Sequence, residues 1–415
     1  MIYLAGSLDL NGGSTFLLRV ARENSKAGKI DIVVLSRVIV EEIRAELAQY
    51  ANIIELAELV DHRFAWCGTN QVSIFLPFNR LKLEKLLEAN GRVVHAMGIF
   101  GLIYGYRLAS QFGGVKVTAG VYQQNEFLSN VALFFVKQAN KMFGLLPPDN
   151  IVFFNEYTRI RYTQVFKKNY ATSPLLPIGV ALPKIDPGRA RPMQYGRLVS
   201  VGNLVDFKTY NEHVIRTVSL LAADYPQLRY DIYGDGDQLA LLNELIAELK
   251  LESVVKIHGR IPYSDFSSTV ESAMGFIGSG TALLEAAALR VPSVTGIESI
   301  KTPQTYGFLS DVTGYSYNEL IPGLKLVPIV DVIRKLLNSD SEENQRIGQQ
   351  CAEKAAEFSI EKTIDGLHQM TRTARITTIK LSFIFKISFF LSFLYLAMLD
   401  GLHINRKFRM RRDQK

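Results

Sequence analysis

Gly278-Ser279-Gly280-Thr281-Ala282-Leu283-Leu284-Glu285-Ala286-Ala287-Ala288, followed by Val291-Pro292-Ser293-Val294, is the stretch on which the fold turns. A turn of small residues opens straight into an Ala/Leu-rich helix, and Pro292 with its β-branched neighbours ends that helix and begins a strand. Main-chain N–H groups at such a turn, backed by the positive end of the helix, suit an anion such as a phosphate. Glu285, one turn into the helix, is placed to accept hydrogen bonds from hydroxyls of a ligand held at the turn. A phosphate beside a polyol describes a nucleotide or a nucleotide sugar. The same residues also suit a plain strand–turn–helix connection, in which Gly and Ser serve steric needs alone, so the surrounding chain has to decide.

Outward from that stretch the chain alternates strands and helices. Towards the N-terminus, Leu198–Val201, Leu228–Tyr233, Val254–His258 and Ala273–Ile277 read as strands. Asn211–Tyr225, Gln238–Leu249 and a short Tyr263–Glu271 read as the helices between them. After Pro292–Thr295 come helices over Val327–Asn338 and Glu342–Phe358. The first third repeats the pattern. Met1–Leu4, Ile30–Leu35, Ile53–Leu56, Val72–Phe75, Val93–His95 and Val115–Thr118 are its strand candidates, and Ser14–Lys26, Glu41–Tyr50, Arg80–Ala89 and Ser129–Lys141 its helices. Such alternation predicts parallel sheets covered on both faces. Between the two series, Pro174, Pro177, Pro183, Pro187 and Pro192 interrupt any helical period and mark a linker. The expected architecture is α/β, with two Rossmann-like domains facing one another across a cleft. Ligands of such sheets lie beyond the carboxyl ends of the strands.

A chain of 415 residues with 48% apolar and 21% charged residues is globular and long enough for two domains. The net charge is +7, and Arg406, Lys407, Arg409, Arg411, Arg412 and Lys415 crowd the last ten residues. That distribution points to an acidic surface near the C-terminus and excludes a nucleic-acid groove across the body. Cys67 and Cys351 give no disulfide framework and suit a reducing compartment. The N-terminus starts on a strand pattern, with no basic segment of a cleavable signal. Residues 381–399 are apolar except for Ser382, Lys386, Ser388 and Ser392. With basic residues Arg372, Arg375 and Lys380 before it and the basic tail after it, this segment fits a helix lying in or dipping into a leaflet. A buried helix and a true span are the other readings.

Several strand ends carry polar residues suited to ligands. Asn11-Gly12-Gly13-Ser14-Thr15 follows the first strand, and its glycines allow close backbone approach. A full G-x-G-x-x-G is lacking, and a tight turn explains it equally well. Gly202-Asn203-Leu204, with Lys208 beyond, ends the first strand of the second series, where a lysine can neutralise a diphosphate. An exposed loop lysine is the plainer alternative. Gly234-Asp235-Gly236-Asp237 ends another strand, but no His or further carboxylates join it, so no metal site is expected. His95, after Arg92-Val93-Val94, is either a satisfied core histidine or a strand-end group that bonds a sugar hydroxyl or moves a proton.

In this order the motifs resemble the retaining glycosyltransferases of family 4, which have the GT-B fold. The resemblance rests on Gly12-Gly13, Val93-Val94-His95, Leu176-Pro177-Ile178-Gly179-Val180, Val201-Gly202-x-Leu204 with Lys208, Ile232-Tyr233-Gly234-x-Gly236, Val255-x-x-His258-Gly259, and Leu284-Glu285-Ala286-x-Ala288-x-x-Val291-Pro292. It covers nearly all of the chain up to about residue 360. It implies transfer of a sugar from a nucleotide diphosphate with retention of configuration, and no cofactor or metal beyond the donor itself. It implies that Lys208 and the backbone of Ser279, Gly280 and Thr281 hold the diphosphate, that Glu285 binds the ribose, and that His95 sits near the transferred sugar. Gly12, Gly13, Asn203, Gly234 and Gly278 complete the expected donor site. Two departures stand out. Asn203 replaces the family's Arg, and Ile277, eight positions before Glu285, replaces the Glu that contacts the donor sugar.

The reading is therefore a glycosyltransferase at the cytoplasmic face of a membrane, held there peripherally, monotopically or by its C-terminus. It would act on a glycan or lipid-linked acceptor in surface polysaccharide or glycolipid assembly. Residues 1–173 form an acceptor domain, 174–196 a linker, 197–360 a nucleotide-sugar domain, 361–378 a crossover helix and 379–415 a membrane-associating helix with a basic tail. Two alternatives stay open: a non-catalytic GT-B binding subunit at the membrane, and a nucleotide-sugar epimerase.

Overall fold

The computed structural model describes residues 1–9, 12–129, 133–183, 191–379 and 381–401. Asn11, Pro187, Lys380 and the tail residues Arg406, Lys407, Arg409, Arg411, Arg412 and Lys415, all singled out in the sequence, lie outside them. Two compact units result. One is Met1–Leu176 together with the chain from Thr363 onward, and the other is Pro177–Lys362.

In the first unit the apolar runs become β1 (Ile2–Ala5), β2 (Ile30–Val34), β3 (Ala51–Glu55), β4 (Val93–Met97), β5 (Lys116–Val121) and β6 (Ile151–Phe153). They form one parallel sheet in the order β3-β2-β1-β4-β5-β6. The helices are α1 (Gly12–Asn24), α2 (Glu41–Tyr50), α3 (Arg80–Ala89), α4 (Gly98–Gln111), α5 (Phe134–Leu145) and α6 (Glu156–Phe166). The strand order reverses between β1 and β4, so the crevice of this sheet lies at the end of β1, where α1 begins at Gly12.

The second unit repeats the plan with β7 (Gln194–Val201), β8 (Arg229–Tyr233), β9 (Val255–Ile257), β10 (Ala273–Gly278) and β11 (Ser293–Thr295). This sheet is also parallel throughout, in the order β11-β10-β7-β8-β9. Its helices are α7 (Tyr210–Leu221), α8 (Leu239–Glu248), α9 (Phe266–Val270), α10 (Gly280–Ala288), α11 (Ile329–Asn338) and α12 (Ser341–Ala355). The reversal falls between β7 and β10. The loops carrying Lys208 and the Gly278–Thr281 turn therefore leave from adjacent strands.

Some expectations need correction. Val72–Phe75 is not a strand: Gln71–Phe75 is a 3-10 turn, because the Asn70 carboxamide oxygen accepts from the Val72 and Ser73 N–H groups and starts a helical turn. The strand bearing His95 runs on to Met97, which puts the histidine mid-strand. The helix expected over 361–378 is α13 (Ile360–Thr373), and it carries the chain back into the first unit. The long apolar segment forms α14 (Phe383–Gly401). Among the described residues no helix is long and apolar enough to cross a membrane. One face of α14 packs on the first unit: the Phe389 ring, 1% exposed, lies 4.4 Å from that of Phe75 and 5.7 Å from that of Phe135. Its other side leaves Phe383, Ile384, Ile387, Phe390, Leu391, Leu394, Tyr395 and Met398 exposed.

Candidate functional site

The second unit gathers Lys208, Ser279, Gly280 and a further residue, Glu298, at the end of its sheet. The elements explain why. Ser279 is the N-cap of α10 in extended conformation, and Gly280 takes the left-handed φ of 66° that turns the chain into the helix. A Cβ on Gly280 would meet nothing within 4 Å, so the turn has open space in front of it. The turn is pinned by Asn318, whose Oδ1 accepts from the Gly280 N–H at 2.8 Å, and by the Tyr317 hydroxyl, which donates to the Gly280 carbonyl at 3.1 Å. Ser279 makes no side-chain cap bond. Its hydroxyl donates instead to Glu298 Oε1 at 3.1 Å.

Lys208 reaches the same place from β7. Its Nζ lies over Gly202, 2.9 Å from where a Cβ would stand, so the glycine makes room for the ammonium. Burial pushes the Lys208 ammonium below the usual lysine range, and the Glu298 carboxylate pulls it back up. Burial raises the Glu298 carboxyl, opposed by Lys208 and by the Ser279 hydrogen bond. Two opposite charges thus share a partly dehydrated spot, where their fields act more strongly than in water.

Gly234 has a role that sequence spacing did not indicate. A Cβ there would stand 1.9 Å from the Gly202 carbonyl oxygen, and one on Gly236 would stand 2.1 Å from that of Leu204. The two loops are laced together by Gly202 N–H to Tyr233 O and Leu204 N–H to Asp235 O, both 2.9 Å. The glycines let the β8 loop lie against the β7 loop that carries Lys208. Asn203, between them, is exposed. Gly278 is buried at the end of β10, where an added Cβ would press on the Phe276 ring. Glu285 is 8% exposed and accepts from the Tyr263 hydroxyl at 3.3 Å. Ile277 is fully buried in the core, and its carbonyl accepts from the Ser200 hydroxyl. A cavity of about 300 Å³ between α7 and α8 takes in Lys208 but none of Ser279, Glu285 and Glu298, so these groups do not meet in that hollow. Among the described residues no cluster of His, Cys, Asp and Glu could hold a metal.

The remaining candidates belong to the first unit. Gly12 and Gly13 open α1, and a Cβ on Gly12 would meet nothing within 4 Å. Ser14 Oγ accepts from the Asp9 N–H at 3.1 Å. His95 is fully buried. Its Nδ1 pairs with Thr118 Oγ1 at 2.9 Å and its Nε2 with the Tyr122 hydroxyl at 2.7 Å, so both ring nitrogens are engaged. Burial pushes its pKa down to about 3 from 6.5, which keeps it neutral. Because the folded value lies below the unfolded one, the stability this contributes is complete above pH 6.5 and is lost as pH falls from 6.5 to 3. Between pH 7 and pH 5, wild type should lose about 2 kcal/mol more than a His95→Gln variant. Denaturant titrations at both pH values measure this, and equal losses would contradict the buried neutral imidazole.

Glu298, Asn318, Tyr263 and Tyr122 escaped sequence reading, since each joins the site through a strand pairing or a loop contact and not through a motif.

Comparison with known proteins fits this geometry. Residues 183–306 match the family model described as glycosyl transferases group 1. No curated protein matches the chain by sequence. Among solved structures, TarM of S. aureus in complex with fondaparinux, alpha-GlcNAc-glycerol and UDP superposes with a TM-score of 0.61 at 12% identity, over 89% of this chain and 99% of that one. HepE of Anabaena in complex with UDP and glucose gives 0.62 at 12% identity, over 90% and 99%. The lipopolysaccharide outer core galactosyltransferase WaaB in its apo form gives 0.56 at 13% identity, over 90% and 98%. At these identities the superpositions establish a shared fold, and the family match lies on the unit that carries Lys208 and Glu285.

Proposed function

From the match of residues 183–306 to the group 1 glycosyl transferases and from the shared GT-B fold, we propose that the second unit binds a nucleotide-diphosphate sugar and that the enzyme transfers the sugar with retention to a lipid-linked glycan or glycolipid. The observation that carries this is that Lys208 and the open Gly280 turn leave adjacent strands and are linked through Ser279 and Glu298, with Glu285 one turn along α10. As the donor bond breaks, negative charge grows on the leaving diphosphate. Lys208 and the N-terminal end of α10 stabilise that charge without having to reorganise. Glu285, steadied by Tyr263, takes the ribose hydroxyls. His95 serves as a neutral positioning residue paired with the Tyr122 hydroxyl. The bound UDP in the TarM and HepE structures makes a uridine nucleotide the first donor to try. The test incubates the purified protein with UDP- and GDP-sugars and membrane lipid extract. Sugar appearing on lipid supports the reading, and neither transfer nor hydrolysis with any donor contradicts it.

The acceptor side rests on α14. Its exposed side presents Ile384, Leu391 and Leu394 to solvent while Phe389 fastens the helix to the first unit, an arrangement suited to lying in the interfacial layer of a cytoplasmic leaflet. The basic residues that follow in sequence would add attraction to anionic headgroups. Deleting residues 379–415 would also strip Phe389 from the core, so substitution is the cleaner test. Changing Ile384, Leu391 and Leu394 together to Gln should lower partition onto phosphatidylglycerol vesicles by about tenfold or more, given ~0.8 kcal/mol per buried methylene. Unchanged co-sedimentation with the vesicles would refute this docking.

A further inference from the structure

Glu298 has no task in the reading so far, and its placement is costly. A carboxylate removed from water is destabilising unless hydrogen bonds and an opposite charge compensate. Here Ser279 Oγ donates at 3.1 Å and Lys208 supplies the charge. The loop that bears it is clamped on three sides. The Gly296 N–H donates to Gly278 O at 2.7 Å, the Glu298 N–H to Asn318 O at 2.8 Å, and the Ser299 N–H to Phe207 O at 2.6 Å. Ser299 holds a left-handed φ of 59°, unusual for a residue with a side chain, at the point where the chain leaves the glutamate. The backbone is thus fixed so that Glu298 stays beside the turn.

The order of the sheet gives the direction. The strands run β11-β10-β7-β8-β9, and their following loops line up in the same sequence. Tyr263, after β9, bonds Glu285, which puts the ribose carboxylate on the β9 side. The diphosphate groups, Lys208 and Gly280, follow β7 and β10 in the middle. Glu298 follows β11, on the far side of the phosphates from the nucleoside. A donor laid along this row places its sugar against Glu298. Ile277, the position where a sugar-binding carboxylate was expected, is fully buried in β10 and has no polar atom on its side chain.

We propose that Glu298 accepts hydrogen bonds from hydroxyls of the donor sugar and so sets which sugar is transferred, taking the place left empty by Ile277. This rests on the reading of the second unit as a nucleotide-sugar site. A hydroxyl bonded to a carboxylate is a charge-assisted interaction, and a site built for it discriminates against sugars that lack or invert that hydroxyl.

The test compares wild type with Glu298→Gln, which keeps the shape and removes the charge, and with Glu298→Ala. Affinities are measured for UDP and for UDP-glucose, UDP-galactose and UDP-N-acetylglucosamine. For the sugar that wild type binds, the ratio of the UDP-sugar Kd to the UDP Kd should rise about tenfold or more in Glu298→Gln. The affinity for UDP alone should hold or tighten, since a carboxylate that repels the diphosphate is gone. A thermal melt no lower than wild type would show that the variant folds. Parallel changes for UDP and UDP-sugars, or an unchanged ratio in both variants, would overturn the assignment while leaving the nucleotide site standing. Should another diphosphate raise the wild-type Tm in place of UDP, its sugars take the place of the UDP-sugars; if none of UDP, GDP, ADP and CDP does, the functional reading fails and the assignment falls with it.

Discussion

Lys208→Ala should abolish most transfer, lowering kcat by about 10²–10³-fold, the cost of removing one group aimed at developing negative charge, about 2.7–4 kcal/mol of barrier. The structure makes the effect large for three reasons. The ammonium is partly dehydrated, so its field acts through a less screening medium than water. Asn203 contributes no positive charge where the resembling family has an Arg. The Glu298 carboxylate stays behind in the variant and then faces the diphosphate unopposed. Lys208→Arg should recover only part of the rate, because the longer guanidinium must fit over Gly202, where an added Cβ would already stand 2.9 Å from Nζ. Initial-rate measurements on the same donor and acceptor decide this, and full activity in Lys208→Ala would remove the residue from the diphosphate site.

Gly234→Ala should be the most damaging of the conservative changes to the fold of the second unit. The new methyl would stand 1.9 Å from the Gly202 carbonyl oxygen and 3.1 Å from its carbon. Both are main-chain atoms, so relief requires moving the β7 loop, and with it the lysine. Overpacking of this kind costs about 3 kcal/mol, at the upper end of the usual range, which for a unit of this size lowers Tm by about 6–12 °C. Nucleotide binding should weaken along with stability, although residue 234 need not touch the ligand. Gly113→Ala is the control, since its Cβ would meet nothing within 4 Å. Thermal melts of both variants with and without UDP provide the measurement. A Gly234→Ala protein that melts with wild type would show that the loops are not packed as described.

The parts of the site legible in the sequence are those written locally. The Gly278–Glu285 turn and helix, the β7 end with Lys208 and the glycines of residues 234–236 each show themselves within a few positions, because turn chemistry and helix starts are short-range. The parts that escaped depend on strand pairing. Glu298 meets Ser279 only because β11 lies beside β10, with Ile277 opposite Val294. His95 finds Thr118 because those two residues are partners across β4 and β5. Helix α4 was hidden for another reason. It is apolar on nearly every side, and Gly101 and Gly105 let it press against β1, where a Cβ on Gly101 would stand 2.6 Å from Leu4 O. Such a helix has no polar stripe, so its period does not separate it from a strand. Val72–Phe75 alternates like a strand, and the Asn70 cap overrode that pattern.

The sheet end carrying Lys208, Gly280 and Glu285 is proposed as a nucleotide-diphosphate site. A thermal melt of the wild-type protein across UDP, GDP, ADP and CDP, with the matching monophosphates alongside, tests it most directly. At about a hundred times its Kd a bound diphosphate adds about 2.7 kcal/mol, a rise in Tm of several degrees. That rise is expected for at least one diphosphate, with a smaller one for its monophosphate and its loss in Lys208→Ala. A flat Tm across all the diphosphates would contradict it.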